Sequence, residues 1–495
     1  MATEKLDVII VGAGISGINT AYYLQARGPA DTTYAILEGR GRLGGTWDLF
    51  QYPGIRSDSD VFTFGFSWNP WQRTTPITLG SKIWAYLDES AAKEGIDKNI
   101  RYHQKVVAAD WNSQAESWTV RVRKVDEGEK EHEHEKEEEV LYEAKFLVLG
   151  TGYYNYDKPL ETIIPGIEDF KGPVIRPQYW PKDLDYVNKN VVVIGSGATA
   201  ITLVPSMAED ARKVTMLQRS PTYLVSMPSK QGIVMRCLWA VLPGAVVSRM
   251  QRLRYMAFSN VLYFFCQWFP HAAKRLIKAQ TMALLPANYP FEPHFTPRYN
   301  PWDQRMCLCP DGDFFAALRS TKADVVTDTT EQVTDDAIKL HSGKTLKADI
   351  IVAATGLKLQ FAGGMALSVD GQPLDPSSKF TFKGAMLQDA PNLAYVLGYV
   401  NASWTLGAEA TAIFLARLWQ GMRNKGIRVV TPRATHLETS TMETQPLLPL
   451  SATYVDKGAK DMPKGGTGVW APRRNFVKDL FLASTTNPLH GLEAR

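Results

Sequence analysis

Twice in this chain a β-branched run closes on a glycine-rich turn that opens into a helical stretch, and few local patterns restrict a fold more tightly. The first copy comprises a strand over residues 7–11, the turn Gly12-Ala13-Gly14-Ile15-Ser16-Gly17, a helix over 18–25 and a second strand over 34–37. The spacing gives each glycine its own part, in that Gly12 allows the tight turn, Gly14 lets a phosphate approach the backbone, and Gly17 lets helix pack on sheet. Glu38 closes the second strand, where its carboxylate can accept hydrogen bonds from a ribose 2′-hydroxyl. The second copy has a strand over 191–194, the turn Gly195-Ser196-Gly197-Ala198-Thr199-Ala200 and a strand over 214–217 that ends in Gln218-Arg219-Ser220 rather than an acid. An arginine there can pair with a 2′-phosphate that a carboxylate would repel, so the second site is expected to prefer NADPH, and the first suits FAD. The expected fold is α/β, with two Rossmann-like dinucleotide-binding domains and a helical insertion.

A length of 495 residues predicts about three modules. Hydrophobic residues at 45% and charged residues at 21% argue against disorder and coiled coil. The balance of 55 basic against 51 acidic residues is too weak to imply nucleic-acid binding. Four cysteines, Cys237, Cys266, Cys307 and Cys309, lack the spacing of a disulfide framework or a zinc site, so no metal is expected and a reducing cytosolic compartment is the default. The apolar run at 6–14 has no cleavage site, and the uncharged stretch at 237–247 is shorter than a membrane span needs. The expectation is a soluble cytoplasmic protein, or at most a peripheral one.

Residues 118–123 and 140–149 read as strands of a β-meander, separated by a charged run over 126–135 that reads as a solvated hairpin tip rather than a metal site. Leu149-Gly150-Thr151-Gly152 and Ala353-Ala354-Thr355-Gly356 are alike, each a hydrophobic strand closing on a Thr-Gly turn where the chain crosses between domains near a cofactor. Between 211 and 291 there is no Asp or Glu, while Arg236, Arg249, Arg254, Lys274, Arg275 and Lys278 are among the basic residues. This segment is largely helical and aromatic. It reads either as a cap whose positive field attracts NADPH or as a basic face resting on anionic lipid. Residues 393–397 read as a strand returning to the first domain. A helix then opens at Thr405 or Leu406 and runs through Trp419; its positive end could stabilise a reduced flavin, or it is an ordinary capped helix.

The stretch Gly44-Gly45-Thr46-Trp47-Asp48-Leu49-Phe50-Gln51-Tyr52-Pro53-Gly54-Ile55-Arg56-Ser57-Asp58 resembles, position for position, the signature of the Baeyer-Villiger monooxygenases. A second signature of that family, FxGxxxHxxxW, is matched by residues 170–180 except that Arg176 stands in place of the histidine. The resemblance runs from about 6 to about 481 and is nearest to the bacterial ethionamide-activating group of these class B flavoproteins. Stretches such as Gly152-Tyr153-Tyr154-Asn155-Tyr156-Asp157 and Tyr299-Asn300-Pro301-Trp302-Asp303-Gln304-Arg305 carry it.

The resemblance implies an enzyme that uses FAD, NADPH and O₂ to convert ketones to esters or lactones through a C4a-peroxyflavin, and that also oxidises sulfides to sulfoxides. It implies Arg305 as the cation facing the anionic oxidant and Asp58 as the carboxylate that orients it. It implies Gly12, Gly14, Ser16, Gly17, Glu38, Gly45, Thr46, Trp47, Asp58 and Val106 around FAD. Around NADPH it implies Gly195, Gly197, Ala198, Thr199, Arg219 and Ser220. Many relatives carry a lysine where this chain has Gln304. Arg176, longer and permanently charged, is expected to hold the linker between domains in one arrangement. The expected division is 1–152 with 385–495 for FAD, 153–228 with 304–384 for NADPH, and 229–303 for the helical subdomain. The closest rival is a monooxygenase that oxidises only sulfur or nitrogen. A disulfide reductase would need a cysteine pair after the first turn, and no cysteine precedes Cys237. A flavin-binding scaffold without turnover would have no use for both Arg305 and Asp58.

Overall fold

In the computed structural model, which describes residues 3–125 and 139–495, strand β1 (Glu4–Val11) enters the first glycine turn and helix α1 (Ile15–Arg27) leaves it. Strand β2 (Tyr34–Leu37) lies parallel beside β1, with Val11 opposite Leu37. The helix starts earlier than hydrophobic periodicity suggests, because Gly14 is its extended N-cap and Gly17 sits inside its first turn. A Cβ at Gly17 would lie 1.9 Å from the carbonyl oxygen of Gly12, so helix and turn can approach this closely only with hydrogen there. Gly12 itself has φ of 98°, a conformation that suits glycine.

Between β2 and β3 (Ile100–Arg101) the chain forms α2 (Thr46–Leu49), α3 (Val61–Phe64) and α4 (Gly80–Lys93). Strands β4 (Gln104–Asn112), β5 (Ser117–Lys124) and β6 (Glu139–Leu149) make the antiparallel meander, and β6, β1, β2 and β3 continue the sheet in parallel. The charged run at 126–135 lies outside the described residues. Alternate residues of β1 serve the two faces: Val8 and Ile10 join one core with Ile18, Ile36 and Phe146, while Ile9 and Val11 join the other with Leu37, Trp111 and Trp118. The strand Leu393–Tyr395 pairs in parallel with the last three residues of β6, the return expected from its sequence.

The chain rejoins this sheet earlier than the boundary at 385 anticipates. Ala366–Val369 pairs in parallel with β4 and then turns through Asp370-Gly371, both left-handed, onto Gln372–Pro373. Four residues next to a sheet edge carry no strong β-branched pattern; the Asp-Gly dipeptide is the one local signal of this hairpin.

The second glycine turn joins β8 (Asn190–Ile194) to α5 (Ala198–Met207). With β7 (Val174–Ile175) and β9 (Lys213–Gln218) it builds an all-parallel sheet in the order Ala323–Thr327, β9, β8, Ile350–Ala353, β7. Helices α6 (Ile233–Val241), α7 (Gly244–Trp268) and α8 (Pro270–Leu284) form the insertion, followed by α9 (Asp313–Arg319) and α10 (Trp404–Lys425). The fold is thus α/β, with two Rossmann-like units and a helical insertion. The loop Tyr52-Pro53-Gly54 packs directly on α5: a Cβ at Gly54, whose φ is 73°, would fall 1.8 Å from Ser206 Oγ. Among the described residues no helix is long and apolar enough to cross a membrane.

Candidate functional site

The C-terminal ends of β1, β2 and β6 and the first turn of α5 open onto a cleft of about 1380 Å³. Open α/β sheets present ligands at these strand ends, because the helix N-termini gather unpaired N–H groups there. Gly12, Gly14, Ser16, Glu38, Gly45, Thr46, Trp47, Asp58, Val106, Ala198, Thr199 and Arg305 all line the cleft. Gly17 sits behind the turn. Gly195, Gly197, Arg219 and Ser220 lie outside the cleft lining. A Cβ on Gly197 would meet no atom within 4 Å, so the second turn is open to solvent at the head of α5.

Burial raises the pKa of the Glu38 carboxyl, against two backbone hydrogen bonds that lower it. Its Oε2 accepts the Ala13 N–H at 2.7 Å and its Oε1 the Arg40 N–H at 3.0 Å. The same carboxylate that closes β2 therefore also ties down the glycine turn, with lone pairs left over. Arg40 pairs with Asp48 at 2.6 Å, which fixes the loop carrying Gly45, Thr46 and Trp47. The Tyr156 hydroxyl and Thr46 Oγ1 are 3.2 Å apart across the cleft, and burial pushes the Tyr156 pKa up to about 12. Ser16 Oγ accepts the Trp404 indole N–H at 2.9 Å, which docks the start of α10 against the first turn.

Arg305 and Asp58 approach from opposite sides of the fold, with Arg305 Nη2 3.2 Å from Asp58 Oδ1 and the guanidinium side chain 32% exposed. Burial works against the Arg305 charge, but Asp58 and then Tyr153, Tyr154 and Tyr454 outweigh it and hold the pKa above its ordinary value. Burial also raises the three phenols, which therefore stay neutral around the cation. Tyr153 stacks on Trp404 with ring centroids 5.0 Å apart. None of these aromatic neighbours was given a place in the site from sequence. Their signal was the Tyr153-Tyr154 pair beside the Thr-Gly turn after β6, but Tyr454 and Trp404 come from distant segments.

Gln304 turns away from the cleft, its amide donating to the Ser451 carbonyl at 3.1 Å. Arg219 is exposed and donates to Thr453 Oγ1 at 3.1 Å, so the end of β9 meets the helix Thr453–Ala459. Ser196 Oγ donates to the Ser220 carbonyl at 2.7 Å, joining the second turn to the same strand end. Arg176 donates to the Leu160 carbonyl at 3.0 Å, a side-chain contact with the segment that precedes β7.

Two residues beyond Asp58, Asp60 caps α3 and accepts the Thr63 N–H at 2.7 Å. Burial pushes its pKa up to about 6 from an ordinary 3.8, with the bonds to Thr63 and the charge of Arg252 working the other way. A carboxyl that holds its proton more tightly when folded favours the fold at low pH, and that contribution is lost as pH rises through the folded pKa. Asp60→Asn retains the cap and removes the titration. Urea midpoints measured across roughly pH 4 to 7 are expected to show wild type losing stability relative to Asp60→Asn as pH rises; parallel profiles would mean that Asp60 does not titrate in this window.

The family model for pyridine nucleotide-disulphide oxidoreductases matches residues 9–234, which span both glycine turns. No cysteine occurs in that range, so the match reports the nucleotide-binding plan and not disulfide chemistry. The chain is 45% identical over 482 residues to the FAD-containing monooxygenase EthA of Mycobacterium tuberculosis, covering 97% of this chain and 95% of that protein. It is 42% identical to the probable FAD-binding monooxygenase AlmA of Acinetobacter baylyi, over 96% of this chain and 93% of the relative. Among solved structures, an oxidized steroid monooxygenase bound to NADP superposes with a TM-score of 0.77 at 20% identity, over 99% of each chain, a likeness of fold.

Proposed function

Because this chain belongs to the FAD-containing monooxygenases, the family of EthA and AlmA, we propose that it is an NADPH- and O₂-dependent Baeyer-Villiger monooxygenase that converts ketones to esters or lactones and oxidises sulfides to sulfoxides. The observation that carries this reading is the cation in the cleft: Arg305 held by Asp58 within a ring of neutral tyrosines. A scaffold that only stored a flavin would gain nothing from a half-buried, oriented guanidinium at that place.

The residues present suit the cofactor. The turn at Gly12 and Gly14 admits a pyrophosphate against backbone N–H groups, and Ser16, Glu38, Gly45, Thr46, Trp47, Asp58 and Val106 line the space beyond it. FAD bound there supplies the two-electron chemistry that divides O₂ between product and water. The chain's own contribution is placement and charge. Arg305 keeps a positive charge at any working pH, and Asp58, 3.2 Å away, would orient it toward an oxygen on which negative charge develops. The start of α10, at Trp404, adds the positive end of a helix to the same wall. Gly195, Gly197, Ala198, Thr199, Arg219 and Ser220 would receive NADPH, with the open face of Gly197 leaving room for its phosphates. We divide the chain accordingly into an FAD domain, an NADPH domain inserted in it, and the helical subdomain.

The test is NADPH oxidation by the purified protein with panels of ketones and sulfides, products identified and peroxide leakage measured. Esters or lactones support the reading, whereas sulfoxides without any ester would reduce it to a heteroatom monooxygenase. Two variants probe the nucleotide sites. Gly17→Ala should isolate colourless and resist reconstitution, since its Cβ would displace the turn; yellow protein with normal flavin content would show that the turn tolerates the methyl group. Arg219→Ala should raise KM for NADPH by roughly 10-fold more than KM for NADH, the loss of one charge-assisted contact. Equal effects on the two nucleotides would mean that Arg219 serves only its contact with Thr453.

A further inference from the structure

Helix α7 turns toward solvent a face that water-exposed helices normally fill with polar residues. Positions 246, 250, 253, 257, 261, 264 and 268 recur at intervals of three and four, so they form one stripe, and each is apolar: Val246, Met250, Leu253, Ala257, Val261, Phe264 and Trp268. Leu253 is 66% and Trp268 69% exposed. At 1.5 Å per residue the stripe is about 33 Å long. The opposite side of the helix does the packing, through Val247, Gln251 and Cys266. Exposed apolar residues also occur on α6, at Ile233 and Val241, at Phe269 between α7 and α8, and on α8 at Leu276.

Charge separates the occupants such a face could take. Exposed Arg249 and Arg254 lie on α7 with the stripe, exposed Arg275 and Lys278 lie on α8, and no acidic residue occurs from 211 to 291 although the whole chain holds 51 acids against 55 bases. A second copy would bring the same basic face against itself and be repelled. Nucleic acid would match the charge and leave the apolar stripe in water. An anionic bilayer answers both: the stripe enters the acyl boundary while the guanidinium and ammonium groups reach the phosphates. With no helix among the described residues able to cross a membrane, the contact is with the surface.

We propose that α6, α7 and α8 form a docking face for an anionic lipid bilayer, with the α7 stripe as its apolar keel. This stands independently of the reaction in the cleft. The experiment is flotation of the full-length, flavin-loaded protein with phosphatidylcholine vesicles that contain or lack phosphatidylglycerol, at low and high salt. Wild type should float with the anionic vesicles, less at high salt, and stay in solution with pure phosphatidylcholine. Leu253→Ser with Trp268→Ser, and separately Arg249→Glu with Arg254→Glu, should each weaken binding about 10-fold or more, with flavin absorbance unchanged as the control for folding. Wild type that ignores anionic vesicles, or variants that bind as well as wild type, would overturn the proposal. So would a wild-type dimer that these substitutions dissociate without any vesicle binding, because the face would then belong to a second copy.

Discussion

Arg305→Ala should abolish ketone oxygenation, with ester formation falling by roughly 100-fold or more, while NADPH oxidation stays measurable. The guanidinium is a cation of the cleft fixed beside Asp58, 3.2 Å away, and the nearby phenols are held neutral by burial. Alanine removes that charge, and Arg56, the cleft arginine two residues from Asp58, is already paired with Asp313. Binding of both nucleotides rests on other residues, so electrons should still be drawn from NADPH and emerge as hydrogen peroxide. Arg305→Lys retains a charge without the planar fork that Asp58 can orient, and should recover only part of the rate. Product analysis alongside a peroxide assay separates the two fates of NADPH. Undiminished ester formation by Arg305→Ala would remove this residue from the mechanism.

The second large effect is on stability. Arg252, on α7, reaches across to the first unit, where its Nη2 lies 2.6 Å from Glu409 Oε2 on α10 and both side chains are about a tenth exposed. Its Nη1 donates to the carbonyls of Phe62, Thr63 and Gly65 at 3.1, 3.2 and 2.7 Å, closing the end of α3. Tyr23 donates to the other Glu409 oxygen at 3.0 Å, and Ser67 donates to that same oxygen. Arg252→Ala would leave a buried carboxylate with hydroxyl partners only, and four carbonyl or carboxylate acceptors without their donor. Stranding one half of a buried pair costs about 3–5 kcal/mol. Arg252→Met combined with Glu409→Gln removes both charges and should cost less than the sum of the single variants. Strictly additive losses in chemical denaturation would show that the pair does not act as a unit. Since α3 begins three residues after Asp58, Arg252→Ala should also loosen the carboxylate that faces Arg305.

The elements legible in the sequence are those whose signal is local. The glycine turns, the strands they join and the meander follow from alternation, β-branching and the places where only hydrogen fits, and all of these act within about ten residues of chain. The Tyr52-Pro53-Gly54 loop stood out as a pattern, yet its reason is tertiary: Gly54 must let α5 of the other unit pass, so the pattern records an interface that the residues alone do not display. Ala366–Val369 was missed because so short a strand is defined by the β4 backbone it joins and not by its own side chains.

Residue order alone thus carries the two nucleotide-binding units and their succession along the chain, and the family resemblance adds the cation expected between them. What surrounds that cation follows from packing. The tyrosines near Arg305 come from 153, 154 and 454, the indole on Ser16 from 404, and the clamp behind Asp58 from 252 and 409. Which side of α7 faces solvent is settled in the same way, because apolar residues lie on both of its faces and periodicity cannot rank them. Contacts between such distant segments are set by loop closure and by which surfaces pack, and residue spacing along the chain carries neither.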